Sequence, residues 1–387
     1  MTTPFLPFAL PDVGDEEMRA VTNAMASGWM TTGPVTRQFE QDFATYLGDD
    51  LNAIAVNSAT AGLHLALEAL GIGAGDEVIA PSLTFTATVE VARYLNADVV
   101  LVDVDPVTLT MSPEAVRSAI TPRTKAIMPV HYAGLACDMA PLLAIAREAG
   151  LRVVEDAAHA LPTTYDGRLV GTLDSDVTVF SFYANKTMTT GEGGMIVTRD
   201  SELAKRMKVM RLHGIDRDAF DRFSSSKPSW YYEIVAPGFK YNLTDTASAI
   251  GRVQLSRLPG FLERRRALAG RYFDLLADLP LILPADAPRG ETHAWHLYVV
   301  RLTDAAIGRG LTRDGVVADL IAGGIGISVH YVPLHRQPYW RDRYGLTSAE
   351  FPVTDDAYQR MFTLPLYTRM TDADQDRVVE TLRTVLT

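Results

Sequence analysis

Short apolar runs alternate with helix-period segments from about residue 51 to residue 198. "LNAIAV" precedes "TAGLHLALEALG", whose spacing predicts a helix stopped by Gly71, and "DEVIAP" precedes "TATVEVARYLN". "DVVLVDV", "TKAIMPV" and "LRVVED" follow, with the helical "MAPLLAIAREAG" ahead of the last. Apolar strands separated by helices predict right-handed crossovers and an α/β domain whose largely parallel sheet is covered on both faces. Beyond Arg252 the pattern changes to a long charged helix around "LERRRALAGRYFDLLADL". Two strand candidates, "HLYVVRL" and "ISVHYVPL", then flank a helix at "TRDGVVADLIAGG", and "DADQDRVVETLRTVL" closes the chain. The division this predicts is a large domain over 1–255 and a smaller α+β domain over 256–387, in keeping with a chain of 387 residues.

In such a sheet, sites lie beyond the carboxyl ends of the strands. That rule sorts the polar residues. Asn57, Ser58, Ala59 and Thr60 follow the first strand; Pro81, Ser82 and Phe85 follow the second; Asp156 and His159 follow "LRVVE"; Ser181 and Lys186 follow "DVTVF". All are expected at one edge. The glycine string "GIGAGDEV" comes after a helix, which makes it a helix stop and turn instead of a dinucleotide loop.

The stretch "SFYANKTMTTGEGGMIVT", Ser181 to Thr198, sets a lysine in a turn between two apolar runs. A loop lysine is ordinarily a solvated surface group. Only six of the 36 basic residues are lysines, however, so arginine supplies the surface charge and Lys186 stands out. A lysine, a carboxylate and a phosphate cradle at one sheet edge are what pyridoxal phosphate requires. The amine forms an imine with the aldehyde, a buried Asp keeps the pyridine nitrogen protonated, and helix-terminal N–H groups and hydroxyls hold the phosphate. Lys186, Asp156 and "SATAG" are the candidates, with Phe85 as a face for the ring. Singly, each has a plainer reading: Asp156 as the cap of a helix begun by "EDAAHA", His159 as a structural hydrogen-bonder, Phe85 as core, "SATAG" as an ordinary helix start. Their common edge is the argument for a site.

Composition narrows the partners. Apolar residues at 47% and charged residues at 21% describe a soluble globular protein. A net charge of −11 without a basic block argues against nucleic acid, and the densest basic cluster, "ERRRALAGR", reads as the solvated face of a helix. Cys137, the one cysteine, permits neither an internal disulfide nor a thiolate zinc site, and no metal is expected. "MTTPFLPFALPDVGDEE" lacks a secretory pattern and no apolar run is long enough to cross a bilayer, so a cytoplasmic location without membrane contact is expected.

Together with "NSATAGLHLAL", "PSLTFTAT", "VVEDAAHA", "MRLHGI", "PGFKYNLTD", "SGWMTTGP" and "HAWHLYVVR", the lysine motif resembles the DegT/DnrJ/EryC1/StrS family of nucleotide-sugar aminotransferases, nearly end to end. The resemblance implies an aspartate-aminotransferase-like fold (fold type I), pyridoxal 5'-phosphate as cofactor, and a homodimer with shared active sites. It implies L-glutamate/2-oxoglutarate and a nucleotide-diphosphate keto-sugar as reactants. It gives the imine to Lys186, the pyridine nitrogen to Asp156, a contact near the ring hydroxyl to His159, and the phosphate to Thr60, Ala61 and Ser181. Asn242 would reach in from the other subunit, and Trp29 and Thr31 would line the substrate side. His330 and Tyr331 are candidate sugar contacts.

Two positions depart from the common family pattern. Tyr183 stands where the motif usually has histidine, and it is kept as a substrate-side candidate. His159 stands where many relatives carry glutamine, and "EDAAHA" resembles the branch acting on 4-keto pentoses, which favours amination at C4 of a UDP- or dTDP-linked pentose or 6-deoxyhexose. Amination at C3 is the alternative within the family. A sugar 3-dehydratase would carry histidine in place of Lys186. A non-enzymatic DNA-binding sensor on this fold would need a basic surface or an added helix-turn-helix, and a dehydrogenase would need a strand–GxGxxG–helix unit. The sequence displays neither.

Overall fold

Seven strands form the main sheet of the computed structural model, which describes residues 4–48, 50–216 and 231–386. They are β1 (Asn52–Val56), β2 (Glu77–Pro81), β3 (Asp98–Val102), β4 (Thr124–Ile127), β5 (Arg152–Asp156), β8 (Val177–Ser181) and β9 (Gly194–Thr198). A two-stranded ribbon, β6 (Thr164–Tyr165) and β7 (Arg168–Leu169), lies between β5 and β8 in the chain. The order across the main sheet is β1-β9-β8-β5-β4-β2-β3. All neighbours are parallel except β9, which runs antiparallel to both β1 and β8. The carboxyl ends of β1, β2, β5 and β8 therefore share one edge with the start of β9.

The strands are apolar on both faces because helices cover both. Helix α1 spans Asp15–Ala26, α2 Pro34–Leu47, α3 Ala59–Ala69, α4 Ala87–Tyr94, α5 Pro113–Ala119, α6 Met139–Ala149 and α7 Ser201–Met210. On one side α3 is buried through Leu63, Leu65 and Leu67. Gly62 lets it approach the sheet closely: a Cβ there would lie 2.7 Å from Val179 Cγ1. On the other side, Phe39 and Phe43 of α2 pack against Phe180 and Phe182. The carboxylate of Asp245 caps α2, accepting from the N–H of Gly33 (2.8 Å) and Thr36 (2.9 Å). That cap ties the "YNLTD" segment to the "TTGP" turn.

Helix α8, Asp245–Leu276, runs 32 residues without interruption and so passes straight through residue 255. The C-terminal layer packs on its second half. Strands β10 (Leu281–Ile282), β11 (Tyr298–Leu302) and β12 (Met361–Leu364) form its antiparallel sheet, covered by helices Arg313–Ala322 and Asp372–Leu386. Leu6, from the opposite end of the chain, joins this core and bridges to Ile325.

Three local expectations are corrected. "ISVHYVPL" is not a regular strand; it makes one isolated bridge, Ser328 to Thr363, and β11 pairs instead with "MFTL". Its alternation arises because His330 and Tyr331 turn polar atoms toward Thr363 and His159 while Leu334 enters the core. No helix follows Asp156, so the capping reading fails; the chain turns at Ala158–His159, and the Asp156 carboxylate accepts from the N–H of Ala158 at 3.1 Å. The cluster "ERRRALAGR" is not wholly solvated. Arg265 is only 3% exposed and donates to the carbonyls of Trp295 (2.9 Å) and Leu366 (3.2 Å), which a guanidinium can do while its neighbours stay in water.

Candidate active site

A cleft of about 460 Å³ opens at the shared strand edge. Thr60, Phe85, Asp156, His159, Ser181, Tyr183, Lys186, His330 and Tyr331 all line it. Residues from the ends of β1, β2, β5 and β8 thus meet, as the strand-end rule requires. Thr84, Asn185 and Glu192 line it as well.

Lys186 lines this cleft from the turn after β8. Burial pulls its ammonium down to about 8, against the opposing attraction of Asp156. At pH 7 about one amine in ten is then neutral, whereas an ordinary lysine keeps roughly one in three thousand neutral. A neutral amine is a nucleophile and a base.

Asp156 sits at the end of β5, and burial raises its carboxyl above the ordinary value despite the hydroxyl of Thr88, which donates to Oδ2 at 2.7 Å. Thr88 is itself fully buried and bonded to Thr84 at 2.7 Å, so the carboxylate is fixed from behind. A buried carboxylate with only a hydroxyl and one N–H as donors still lacks a cationic hydrogen-bond donor, which the protonated nitrogen of a pyridine ring would supply.

The histidines around Lys186 are held neutral. For His159, burial and then the nearby Lys186 and His330 depress the ring well below its ordinary value. The Ala133 N–H donates to its Nδ1 at 3.3 Å, which puts the proton on Nε2, 2.9 Å from the Tyr331 hydroxyl. His330 is pushed down to about 4 by burial and Lys186, and its Nδ1 pairs with Thr363 Oγ1 at 2.9 Å. Phe85 is 56% exposed at the mouth with its ring 5.7 Å from that of Tyr331, so it is no core residue and offers a face to a flat ligand.

The start of α3 also opens on the cleft. Ser58 is the N-cap, and its Oγ already accepts the Ala61 N–H at 3.1 Å, which removes the Ala61 N–H from the phosphate set. Ala59 and Thr60, in the first turn, have no intrahelical acceptors and face the positive end of the helix dipole. Gly194 makes the approach possible: a Cβ there would fall 2.8 Å from Ala59 N and 2.9 Å from Phe180 O. Both neighbours are backbone and cannot swing aside. Gly194→Ala is therefore expected to cost about 1–3 kcal/mol of stability. It should also weaken cofactor retention, and thermal denaturation together with pyridoxal phosphate content after dialysis checks both. These features fit pyridoxal phosphate: the first turn of a helix lining the cleft, an exposed ring face at Phe85, a buried carboxylate and a lysine whose ammonium burial depresses.

Four predicted residues do not line this cleft in their own chain: Ala61, Trp29, Thr31 and Asn242. Trp29 donates from Nε1 to the Thr32 carbonyl at 3.1 Å, and Thr31 accepts from the Asp245 N–H at 3.2 Å, so the α2 cap holds the loop away. Asn242 donates to Thr32 Oγ1 at 2.7 Å and borders a separate hollow near α7. Conversely, the sequence reading missed Thr84, Thr88, Asn185, Glu192 and His296. "PSLTFTAT" and "HAWHLYVVR" contain three of these, but nothing in their pattern marks Thr88 as facing β5 or His296 as facing Lys186.

Among the described residues no cluster could hold a metal ion, and no helix is long and apolar enough to cross a membrane. Comparison with known proteins gives the family. Residues 11–383 match the DegT/DnrJ/EryC1/StrS aminotransferase family. The spore coat polysaccharide biosynthesis protein SpsC of Bacillus subtilis (strain 168) is 44% identical over 383 residues, covering 99% of this chain and 97% of that protein. Spr1654 of Streptococcus pneumoniae, solved in a PLP form, superposes with a TM-score of 0.91 at 33% identity and 98% coverage of both chains. DesV of S. venezuelae, in complex with a ketimine intermediate, gives 0.87 at 34% identity, covering 99% of this chain and 98% of that one. The chain belongs to the DegT/DnrJ/EryC1/StrS aminotransferase family, and it is a pyridoxal-phosphate-dependent sugar aminotransferase.

Proposed function

We propose that this protein moves the amino group of L-glutamate to C4 of a nucleotide-diphosphate-linked keto-sugar, a pentose or 6-deoxyhexose, in a homodimer with shared sites. The observation that carries the proposal is the meeting of Lys186, Asp156 and His159 in one cleft beside the start of α3. Pyridoxal phosphate, when bound, supplies the electron sink and carries the nitrogen from one substrate to the other. The residues do the rest. Lys186 Nζ takes the α-proton of L-glutamate and, in the second half-reaction, delivers a proton to the sugar carbon that receives nitrogen. Asp156 holds a negative charge toward the pyridine nitrogen, and Thr88 keeps its carboxylate in place. Ser181, Thr60 and the first-turn N–H groups of α3 bind the phosphate, with His159 and Phe85 against the ring.

Tyr183, exposed at the cleft mouth, His330 and Tyr331 lie where the sugar would enter. Trp29, Thr31 and Asn242 reach a site only across a subunit interface, which is the role proposed for them. The relative named for spore coat polysaccharide biosynthesis supports a product destined for a surface glycan. The low cysteine count is in keeping with a reducing cytoplasm.

The test is product identification. UDP-4-keto-pentose, dTDP-4-keto-6-deoxyhexose and a 3-keto isomer are each incubated with L-glutamate, and the position of nitrogen is read by NMR. Nitrogen at C4 supports the proposal; nitrogen at C3 alone, or no transfer to any keto-sugar, overturns the regiochemistry or the substrate class. A pH dependence follows from Lys186 as well. The rate at which apoprotein captures pyridoxal phosphate is expected to rise about tenfold per pH unit up to pH about 8 and then level off, because only the neutral amine reacts. An inflection above 10 in a stopped-flow series would contradict the depressed amine.

A further inference from the structure

His296 meets both Lys186 and His159 from just before β11. Its Nε2 lies 3.4 Å from Lys186 Nζ, and its ring packs on that of His159 with centroids 4.4 Å apart. The residue is 4% exposed, and its Nδ1 is buried without a hydrogen-bond partner. Native interiors seldom leave a ring nitrogen in that state.

The backbone around it is held by an unusual cation. Arg265 donates from Nη1 to the carbonyls of Trp295, His296 and Leu366, and its Nε is buried without a partner. None of its contacts is a carboxylate. An arginine spent on carbonyls on either side of the Trp295–His296 peptide fixes that peptide, and with it the imidazole, over the lysine.

We propose that His296 is a positioning residue for Lys186: its Nε2 accepts a hydrogen from the lysine amine and leaves the nitrogen lone pair aimed into the cleft. The idea rests on the proton-carrying role given to Lys186 above. His296 does not itself take the proton. Burial, Lys186, His159, Arg265 and His330 all hold its ring well below the ordinary value, so it remains a neutral acceptor throughout. Lys186 also faces Asp156 from β5, His159 from the turn after it and His330 from the "ISVHYVPL" segment. Of these, only His296 comes within hydrogen-bond distance of Nζ.

Two variants and two readouts test this. His296→Phe keeps the ring volume and removes the acceptor; His296→Gln keeps an acceptor at similar reach. In apoprotein, the rate of Lys186 labelling by fluorodinitrobenzene, followed by peptide mass spectrometry across pH, reports the amine directly. His296→Phe should move the labelling inflection below that of wild type, because the ammonium loses its acceptor. In holoenzyme it should lower kcat about 10- to 100-fold with KM for both substrates little changed, as expected for a misaimed group. His296→Gln should restore most of both. An unchanged inflection with kcat near wild type in His296→Phe would overturn the proposal, as would equal losses in both variants. Lys186→Ala run in parallel keeps the two ideas apart: if it retains activity, the role of Lys186 fails, whatever the histidine variants do.

Discussion

Lys186→Ala is expected to lower kcat by about 10⁴-fold, the upper end of what a positioned proton-transfer group contributes. The expectation rests on geometry and charge together. Lys186 is the lysine at the strand edge, it lines the cleft, and its ammonium is depressed to about 8 by burial, so near neutrality it can both take and return a proton. None of the described neighbours can substitute. His159, His296 and His330 are all pushed below their ordinary range by burial and by Lys186, and Asp156 is the group proposed to face the pyridine nitrogen. Added methylamine should recover part of the loss, since a small primary amine can enter the space left by the side chain. Activity in the variant above about one hundredth of wild type, without added amine, would show that another group moves the proton.

Asp156→Asn is expected to cost about 10²- to 10³-fold in kcat, comparable to losing one preorganised charge interaction at a reacting centre. Stability should move the other way or not at all. The carboxylate is buried and its pKa is raised by that burial, with Thr88, the Ala158 N–H and the charges of Lys186 and His131 offsetting only part of the cost, so a neutral amide relieves a desolvation penalty. A variant that melts at or above the wild-type temperature yet has lost its activity separates chemistry from folding. A variant that loses both in proportion would mean that Asp156 is chiefly structural.

The strand-end rule explains why so much of the site was readable. β1, β2, β5 and β8 are short, largely buried and parallel in direction, so the residue after each one is placed by topology before any side chain is considered. Asp156, Ser181, Lys186 and Phe85 came from that rule and from the lysine's turn. Residues contributed from within helices or from the C-terminal layer were not legible. Thr88 reaches Asp156 from the first turn of α4, and His296 reaches Lys186 from just before β11. Both contacts span many residues and depend on how layers pack. "ISVHYVPL" misled for the same reason: alternating polarity normally marks a half-buried strand, but here the polar members face a cleft instead of solvent. Arg265 hides in a charged run because local composition cannot show which of three adjacent arginines turns inward.

The most direct test of the account is the visible absorbance of protein reconstituted with pyridoxal phosphate and freed of excess, before and after L-glutamate, in wild type and Lys186→Ala. Wild type should show a band that glutamate bleaches and that a nucleotide-linked 4-keto-sugar then restores, while the variant lacks that band before any amine is added. A wild-type protein that is folded and supplied with cofactor yet shows no such band, or a band that survives in Lys186→Ala, would contradict it.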